Sequence, residues 1–168
     1  ADEVVAKVAT KDRISQVMAL ESHLRNANVY HYETDFTKIQ SQRQLHVDPI
    51  EDFISNHRTG HCEYFASALA LMLRTQGIPS RLVVGYLGGE YNEFGKYYTV
   101  REEHAHAWVE AYLEPRDIPA SYRRYEGRPQ SAWLRLDPTP PGNSLASVAG
   151  WVLGRRAGTV QHPHQPGN

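Results

Sequence analysis

One stretch of this chain, residues 59–79, restricts the fold more than any other, because it places the only cysteine at the start of a helix-forming pattern. After Cys62, large apolar residues recur at helical spacing, which predicts a helix with one buried face. These residues are Phe65, Leu69, Met72 and Leu73. Gly77 suits a left-handed C-cap, and Pro79 stops any continuation of the helix. We therefore expect Cys62 in the first helical turn, where unpaired backbone N–H groups favour a thiolate.

A lone cysteine is not by itself a catalytic site. Free cysteines most often behave as small buried apolar residues. A catalytic role for Cys62 therefore depends on whether the rest of the chain supplies a base and a group that orients the base.

Composition narrows the possible classes of protein. The 168 residues suffice for one domain with a core, and 18 basic against 19 acidic residues give no argument for nucleic-acid binding. A single cysteine excludes an internal disulfide and a cysteine-only zinc site. The sequence has no apolar run of about 18 residues, the length that a membrane-spanning helix requires. Since the chain begins at Ala1 without a methionine or a signal peptide, we expect an excised domain of a longer protein.

The order of the predicted elements indicates an α+β domain, with helices first and antiparallel strands afterwards. Asp12 is expected to cap a helix that ends near Asn26 and has Ile14, Val17, Met18 and Leu24 on its inner side. Asp48 is expected to cap a later, short helix. Residues 33–47 are polar and unpatterned, and we expect a loop there. The expected strands are a short one at residues 29–32 and four longer ones at 81–86, 97–100, 105–113 and 132–136.

We divide the chain into a catalytic domain at residues 1–140 and a Pro/Gly-rich, partly disordered tail at 141–168. Within the domain, residues 114–131 form a long connection that carries four arginines. Such a segment is most simply a solvated surface loop. The alternatives are a lid facing the substrate or a docking patch for an acidic partner.

Two residues downstream complete a candidate catalytic constellation with Cys62. His106 begins the third long strand and Asp137 ends the fourth, so neighbouring strands would place them side by side at one edge of the sheet. Cys62 would then be the nucleophile, His106 the proton carrier and Asp137 the group that orients the imidazole. The Cys62 backbone N–H is one expected oxyanion donor, and the spacing does not identify a second.

Five motifs in order resemble the bacterial transglutaminase-like superfamily, and most of all the extracytoplasmic domain of its membrane-anchored members. They are Gly-His-Cys-Glu-Tyr-Phe-Ala at 60–66, Arg-Thr-Gln-Gly-Ile-Pro-Ser-Arg at 74–81, Val-Gly-Tyr at 84–86, His-Ala-His-Ala-Trp-Val-Glu at 104–110 and Trp-Leu-Arg-Leu-Asp-Pro-Thr at 133–139. The resemblance implies a papain-like fold and a triad of Cys62, His106 and Asp137. The family's His-Ala-Trp motif selects His106 over His104.

The resemblance also implies a reaction and its partners. A thioester would form from a glutamine side-chain amide of a protein or peptide, and an amine would resolve it, with no cofactor and no metal. The parent protein would reach the membrane through segments outside this sequence and expose this domain to the periplasm. The sequence departs from the family in one respect, because the histidine and aspartate strands are often joined by a shorter link than residues 114–131.

Three other interpretations stay open. The same triad could serve a cysteine protease or amidase that uses water as the acceptor. The domain could also be a non-catalytic binding module of a membrane protein. His104 and His106, with His57 and His61, could form a metal site, but a matching set of carboxylate or thiolate ligands is not evident.

Overall fold

The structure is a computed structural model that describes residues 1–8, 12–118 and 131–140. The helices are α1 (Asp2–Val5), α2 (Arg13–Leu24), α3 (Phe36–Gln42), α4 (Pro49–Asp52) and α5 (Cys62–Thr75). The strands are β1 (His31–Tyr32), β2 (Thr59–Gly60), β3 (Ser80–Tyr86), β4 (Glu90–Asn92), β5 (Tyr97–Thr99), β6 (Ala105–Leu113) and β7 (Ala132–Leu136). The predicted α+β class is confirmed, while the predicted tail at 141–168 lies outside the described residues.

Helix α5 lies at the centre of the core. One side of it packs against α2 and the other against β6. The buried residues of β6 on this side are Ala107, Val109 and Ala111. Small side chains on both α5 and β6 let the helix approach the sheet closely. Gly77 takes a φ of 67°, so the predicted left-handed end of α5 is confirmed.

Helix α2 begins as predicted, but its buried face is rotated. Asp12 caps it by accepting a hydrogen bond from the Ser15 N–H at 2.9 Å. The buried residues of α2 are Val17, Leu20, Glu21 and Leu24. The prediction that Met18 faces inward is wrong, since Met18 is 45% exposed. An acidic residue, Glu21, occupies the inner face.

The predicted loop at 33–47 contains a helix instead. Asp35 caps α3, since its side chain accepts hydrogen bonds from the backbone N–H groups of Thr37 and Lys38. Ile39 is the buried residue of α3. The next helix, α4, begins as predicted, with Asp48 accepting from two backbone N–H groups. A wide turn over Phe53–His57 then leads into β2.

The main sheet has three antiparallel strands in the order β3-β6-β7. Its register sets His106 opposite Gly85 and Leu136 opposite Val109. Strand β5, which the sequence predicts among the antiparallel strands, is not part of this sheet. It pairs with β4 in a separate two-stranded hairpin. The hairpin therefore stands in the connection between β3 and β6.

The two ends of β6 lie next to different parts of the molecule. His106 is near its start, close to the point where β7 ends. Leu113 at its other end pairs with Ala132, and the connection 114–131 leaves and re-enters the sheet there. Seven residues of strand, about 23 Å, separate this end from His106. The departure points of the connection therefore do not favour a lid over His106, although residues 119–130 lie outside the described part of the chain.

None of the helices in the described ranges combines the length and the apolar character needed to cross a bilayer.

Candidate active site

Cys62 occupies the first position of α5, as predicted. His61 is the N-cap, and its Nδ1 accepts from the Glu63 N–H at 3.4 Å. The imidazole of His61 also packs against the rings of Phe36 and Tyr64, with 5.0 Å between ring centroids in each case. These contacts hold the turn that places Cys62 at the N-terminus of α5.

Glycine is required just before this turn. A Cβ built on Gly60 would lie 2.8 Å from the Cβ of Tyr64, closer than carbon atoms approach without displacement. Gly60 also lies in β2, which pairs with β1 in parallel. A tight approach of strand to helix thus places β1 beside the first turn of α5.

His106 and Asp137 are hydrogen-bonded to each other. The distance from His106 Nε2 to Asp137 Oδ2 is 2.8 Å, and His106 is only 4% exposed. Asp137 directly follows β7 and lies across from the start of β6. With Nε2 engaged, Nδ1 is the ring nitrogen of His106 that remains for Cys62.

The carboxylate of Asp137 has a second partner of its own. Its Oδ1 accepts from the backbone N–H of Thr139 at 3.2 Å. Oδ1 must therefore be an acceptor, and Oδ2 is the oxygen directed at the imidazole. Burial raises the pKa of the Asp137 carboxyl, but the hydrogen bond and the charge of His106 outweigh burial and lower it.

The electrostatics of Cys62 and His106 favour an ion pair. Burial raises the pKa of the Cys62 thiol, but hydrogen bonding to His106 and His61 and the charge of His106 lower it from 9.0 to about 6. Burial lowers the pKa of His106, yet its interactions with Asp137 and Cys62 raise it from 6.5 to about 9. Between these values the thiol is ionised and the imidazole is protonated.

Tyr32 is a site residue that the sequence did not reveal. It lies in β1 opposite Gly60, and its ring packs on Phe65, one turn along α5 from Cys62. Burial, together with the charge and the side-chain hydrogen bond of Cys62, raises the pKa of the Tyr32 phenol to about 12, while the Cys62 backbone opposes this rise. The hydroxyl therefore lies beside both the sulfur and the backbone of Cys62 and keeps its proton at neutral pH. A tyrosine in a two-residue strand carries no sequence signal for such a position.

The other histidines considered from the sequence do not join this cluster as a group. His104 accepts from the Arg101 N–H at 2.9 Å and closes a short turn before β6. His57 hydrogen-bonds through Nδ1 to the buried carboxylate of Asp52 at 2.9 Å. Of His57, His61 and His104, His61 is the one that lies next to Cys62. Within residues 1–8, 12–118 and 131–140, no three His, Cys, Asp or Glu side chains are grouped so as to hold a metal ion.

Chemically, the arrangement brings together a thiol, an imidazole and a carboxylate from three separate elements. Cys62 comes from α5, His106 from β6 and Asp137 from the end of β7. These groups are the ones that acyl transfer through a covalent enzyme intermediate requires.

The chain is similar to known proteins over most of its length. The sequence model of the Transglutaminase-like superfamily matches residues 1–138. A protein-glutamine gamma-glutamyltransferase from Pseudomonas aeruginosa is 40% identical over 93 residues, which make up 55% of this chain and 12% of that protein. YebA from Bacillus subtilis is 34% identical over 128 residues, or 74% of this chain and 15% of that protein.

A solved structure is similar to this chain in fold. The crystal structure of the periplasmic domain of TgpA from Pseudomonas aeruginosa, bound to ethylmercury, superposes with a TM-score of 0.60 at 31% identity. The match covers 82% of this chain and 41% of that chain, so this sequence spans less than half the length of each relative described here. Because the family's sequence model matches residues 1–138 of the 168, the chain belongs to the transglutaminase-like superfamily.

Proposed function

We propose that this domain is a transglutaminase-type acyltransferase that works through a thioester on Cys62. The observation that carries the proposal is the buried 2.8 Å hydrogen bond between His106 Nε2 and Asp137 Oδ2 next to Cys62. This bond holds the imidazole so that its other nitrogen serves the sulfur. The catalytic residues are Cys62, His106 and Asp137, and the mechanism requires no cofactor.

The pKa values support a resting thiolate–imidazolium pair. The thiolate is present above about pH 6, the pKa of Cys62, and the imidazolium below about pH 9, the pKa of His106. Both charged forms therefore coexist between these limits. A nucleophile that is ionised before substrate arrives needs no separate deprotonation step.

In the first half-reaction, the Cys62 sulfur attacks the carbonyl carbon of a glutamine side-chain amide. The C=O bond opens to an oxyanion, and the C–S bond forms. His106 gives its proton to the amide nitrogen as the C–N bond breaks, so ammonia leaves and a thioester remains. Asp137 stabilises the imidazolium before that transfer and fixes the ring afterwards.

Two donors are available for the oxyanion. The backbone N–H of Cys62 points out of the first turn of α5, and the hydroxyl of Tyr32 lies beside it. An oxygen bound between them would accept from both. We assign Tyr32 as the second donor that the sequence did not identify.

In the second half-reaction, a primary amine attacks the thioester carbonyl. Neutral His106 accepts the proton of the amine, the C–S bond breaks and the Cys62 thiolate returns. The product is a substituted amide, which is an isopeptide cross-link when the amine is a lysine side chain. Water in place of the amine would give deamidation or hydrolysis, so the identity of the acceptor distinguishes a transferase from a hydrolase.

Substrate and location are part of the same proposal. Two observations support it: one relative is named for transfer to protein glutamine, and the matching solved structure is a periplasmic domain. We infer that the domain works in the periplasm as part of a longer membrane-anchored protein. Its partners would be a glutamine-bearing protein or peptide and an amine, and not a nucleic acid.

The test is mass spectrometry of the reaction products. The wild type, Cys62→Ser and Ser67→Ala are incubated with casein and a labelled primary amine, and again without the amine. Since the chain has one cysteine, Cys62→Ser removes every thiol, while Ser67→Ala is a matched small change in the same helix. We expect amine incorporation by the wild type and Ser67→Ala and none by Cys62→Ser.

The other outcomes separate the alternatives. Deamidation or backbone cleavage without incorporation would replace the transferase with a hydrolase. Incorporation that persists in Cys62→Ser would refute the thioester mechanism. No product together with an unreactive thiol would favour the non-catalytic binding module.

A further inference from the structure

The backbone of Asp137 is held by two side chains at the end of helix α2. Its N–H donates to Glu21 Oε1 at 2.8 Å, and its carbonyl oxygen accepts from Arg25 Nη1 at 3.0 Å. Glu21 and Arg25 stand four residues apart, so they project from the same side of the helix. The backbone groups of Asp137 are not paired by the sheet, because Asp137 lies beyond Leu136, the last paired residue of β7.

Most of the buried polar side chains in the described ranges lie around Asp137. Within the described ranges, four polar or charged residues are buried, namely Glu21, Asp52, His106 and Thr139. Three of them, all except Asp52, hydrogen-bond to Asp137. Three of the four buried polar residues of the described ranges therefore meet at one residue, Asp137.

Glu21 is an unusual choice for its position. It lies on the inner face of α2 beside Leu20 and Leu24, where an apolar side chain would pack without losing hydration. Burial raises the pKa of Glu21, and the hydrogen bond from Asp137 and the charge of Arg25 oppose the rise. The contact that Glu21 makes with Asp137 accounts for a carboxylate at this point.

We propose that Glu21 and Arg25 are positioning residues of the active site. They fix the backbone of Asp137, which sets the direction of its carboxylate and, through that carboxylate, the orientation of His106. This inference rests on the function proposed above. With its N–H and carbonyl held, Asp137 keeps only its side-chain rotations, and the partners of its two carboxylate oxygens restrict those. Without the Glu21 acceptor, the Asp137 N–H is left unpaired and the carboxylate loses its fixed direction.

The test compares three variants with the wild type. Glu21→Ala removes the acceptor, and Glu21→Gln keeps an acceptor oxygen at the same reach. Leu20→Ala makes a cavity in the same face of α2 but keeps the Glu21 side chain. The measurements are kcat and KM for amine incorporation, the pH profile of Cys62 alkylation by iodoacetamide and the thermal midpoint.

For Glu21→Ala we expect kcat to fall about 100-fold, as for a displaced catalytic group, with KM within about twofold of the wild type. The alkylation midpoint should move from about 6 towards the ordinary thiol value of 9.0, because a misdirected His106 no longer supports the thiolate. Glu21→Gln should recover most of the activity. Leu20→Ala should lower the thermal midpoint at least as much as Glu21→Ala, but keep the wild-type alkylation profile.

A wild-type kcat and alkylation profile in Glu21→Ala would overturn the positioning role while leaving the proposed function intact. If Leu20→Ala changes kcat and the alkylation midpoint as much as Glu21→Ala does, the effect is general destabilisation and not positioning. If Glu21→Gln does not recover activity, the acceptor contact is not the cause. A wild-type thiol with an ordinary pKa would overturn the proposed function as well. If the wild type has a reactive thiolate but no transferase activity, the alkylation midpoints alone decide on the positioning role.

Discussion

Removing the imidazole should change how the reactivity of Cys62 depends on pH. In the His106→Ala variant, the partner that lowers the thiol pKa to about 6 is gone, and we take the ordinary value of 9.0 as the limit of the change. At pH 7 the thiolate fraction would then fall from about 90% to about 1%. The reaction should slow by less than this factor, because a thiolate of higher pKa is a better nucleophile.

The size of the opposing effect follows from the same pKa change. With a Brønsted coefficient of about 0.4–0.5 for attack on a disulfide, three pKa units make the variant's thiolate about 20 times more nucleophilic. The variant should therefore react about 4–5 times more slowly at pH 7, about 45 times more slowly at pH 5 and about 10 times faster at pH 9. The two profiles should cross between pH 7 and pH 8, at about pH 7.7.

The assay is the rate of reaction with dithiodipyridine, followed by absorbance from pH 5 to pH 9. His104→Ala is the matched control, because His104 lies two residues away and closes a turn through the Arg101 N–H. We expect this control to keep the wild-type profile. Profiles of His106→Ala and wild type that run parallel, with the same midpoint, would refute the idea that His106 sets the ionisation of Cys62.

Three further substitutions test other parts of the site. Asp137→Asn should fold with a thermal midpoint near that of the wild type but lose at least about a hundredfold in kcat, because the backbone N–H at Oδ1 requires an oxygen there and so turns the amide NH₂ towards His106; full activity would mean that another group orients the ring. Tyr32→Phe should keep the wild-type KM and lower kcat by about a hundredfold, the usual loss when one oxyanion donor is removed; an unchanged kcat would exclude Tyr32 from that role. Gly85→Ala should lower the free energy of unfolding by about 1–3 kcal/mol, as overpacking does, since the new Cβ would lie 2.8 Å from the Trp108 ring; urea unfolding checks this, and wild-type stability would contradict so close an approach of Trp108 to the strand.

The residues assigned to the triad could be predicted from the sequence because each sits at an end of a regular element with a clear local signal. Cys62 begins a long amphipathic helix, His106 begins an alternating strand, and Asp137 ends one just before a proline. The structure brings His106 and Asp137 into hydrogen-bonding contact. Their assigned roles in catalysis stay predictions until the variants are measured.

The supporting residues could not be predicted, because their contacts join distant parts of the chain. Glu21 lies 116 residues from Asp137 and Arg25 lies 112 residues from it, and a helical pattern does not say which polar residue will turn inward. Tyr32 depends on a parallel pairing of only two residues with Gly60. Helix α3 was missed although Asp35 offered a cap, because a single buried residue gives no periodicity.

The placement of the 114–131 connection has a consequence for how such domains vary. Because it joins β6 and β7 at Leu113 and Ala132, away from His106, residues can be added or removed there without moving the two strand ends that carry the histidine and the aspartate. The separation of 31 positions from His106 to Asp137 is thus not a spacing that the chemistry fixes. A search pattern for related sites should leave this interval free, and a guest domain meant to report on the enzyme is best spliced into this connection.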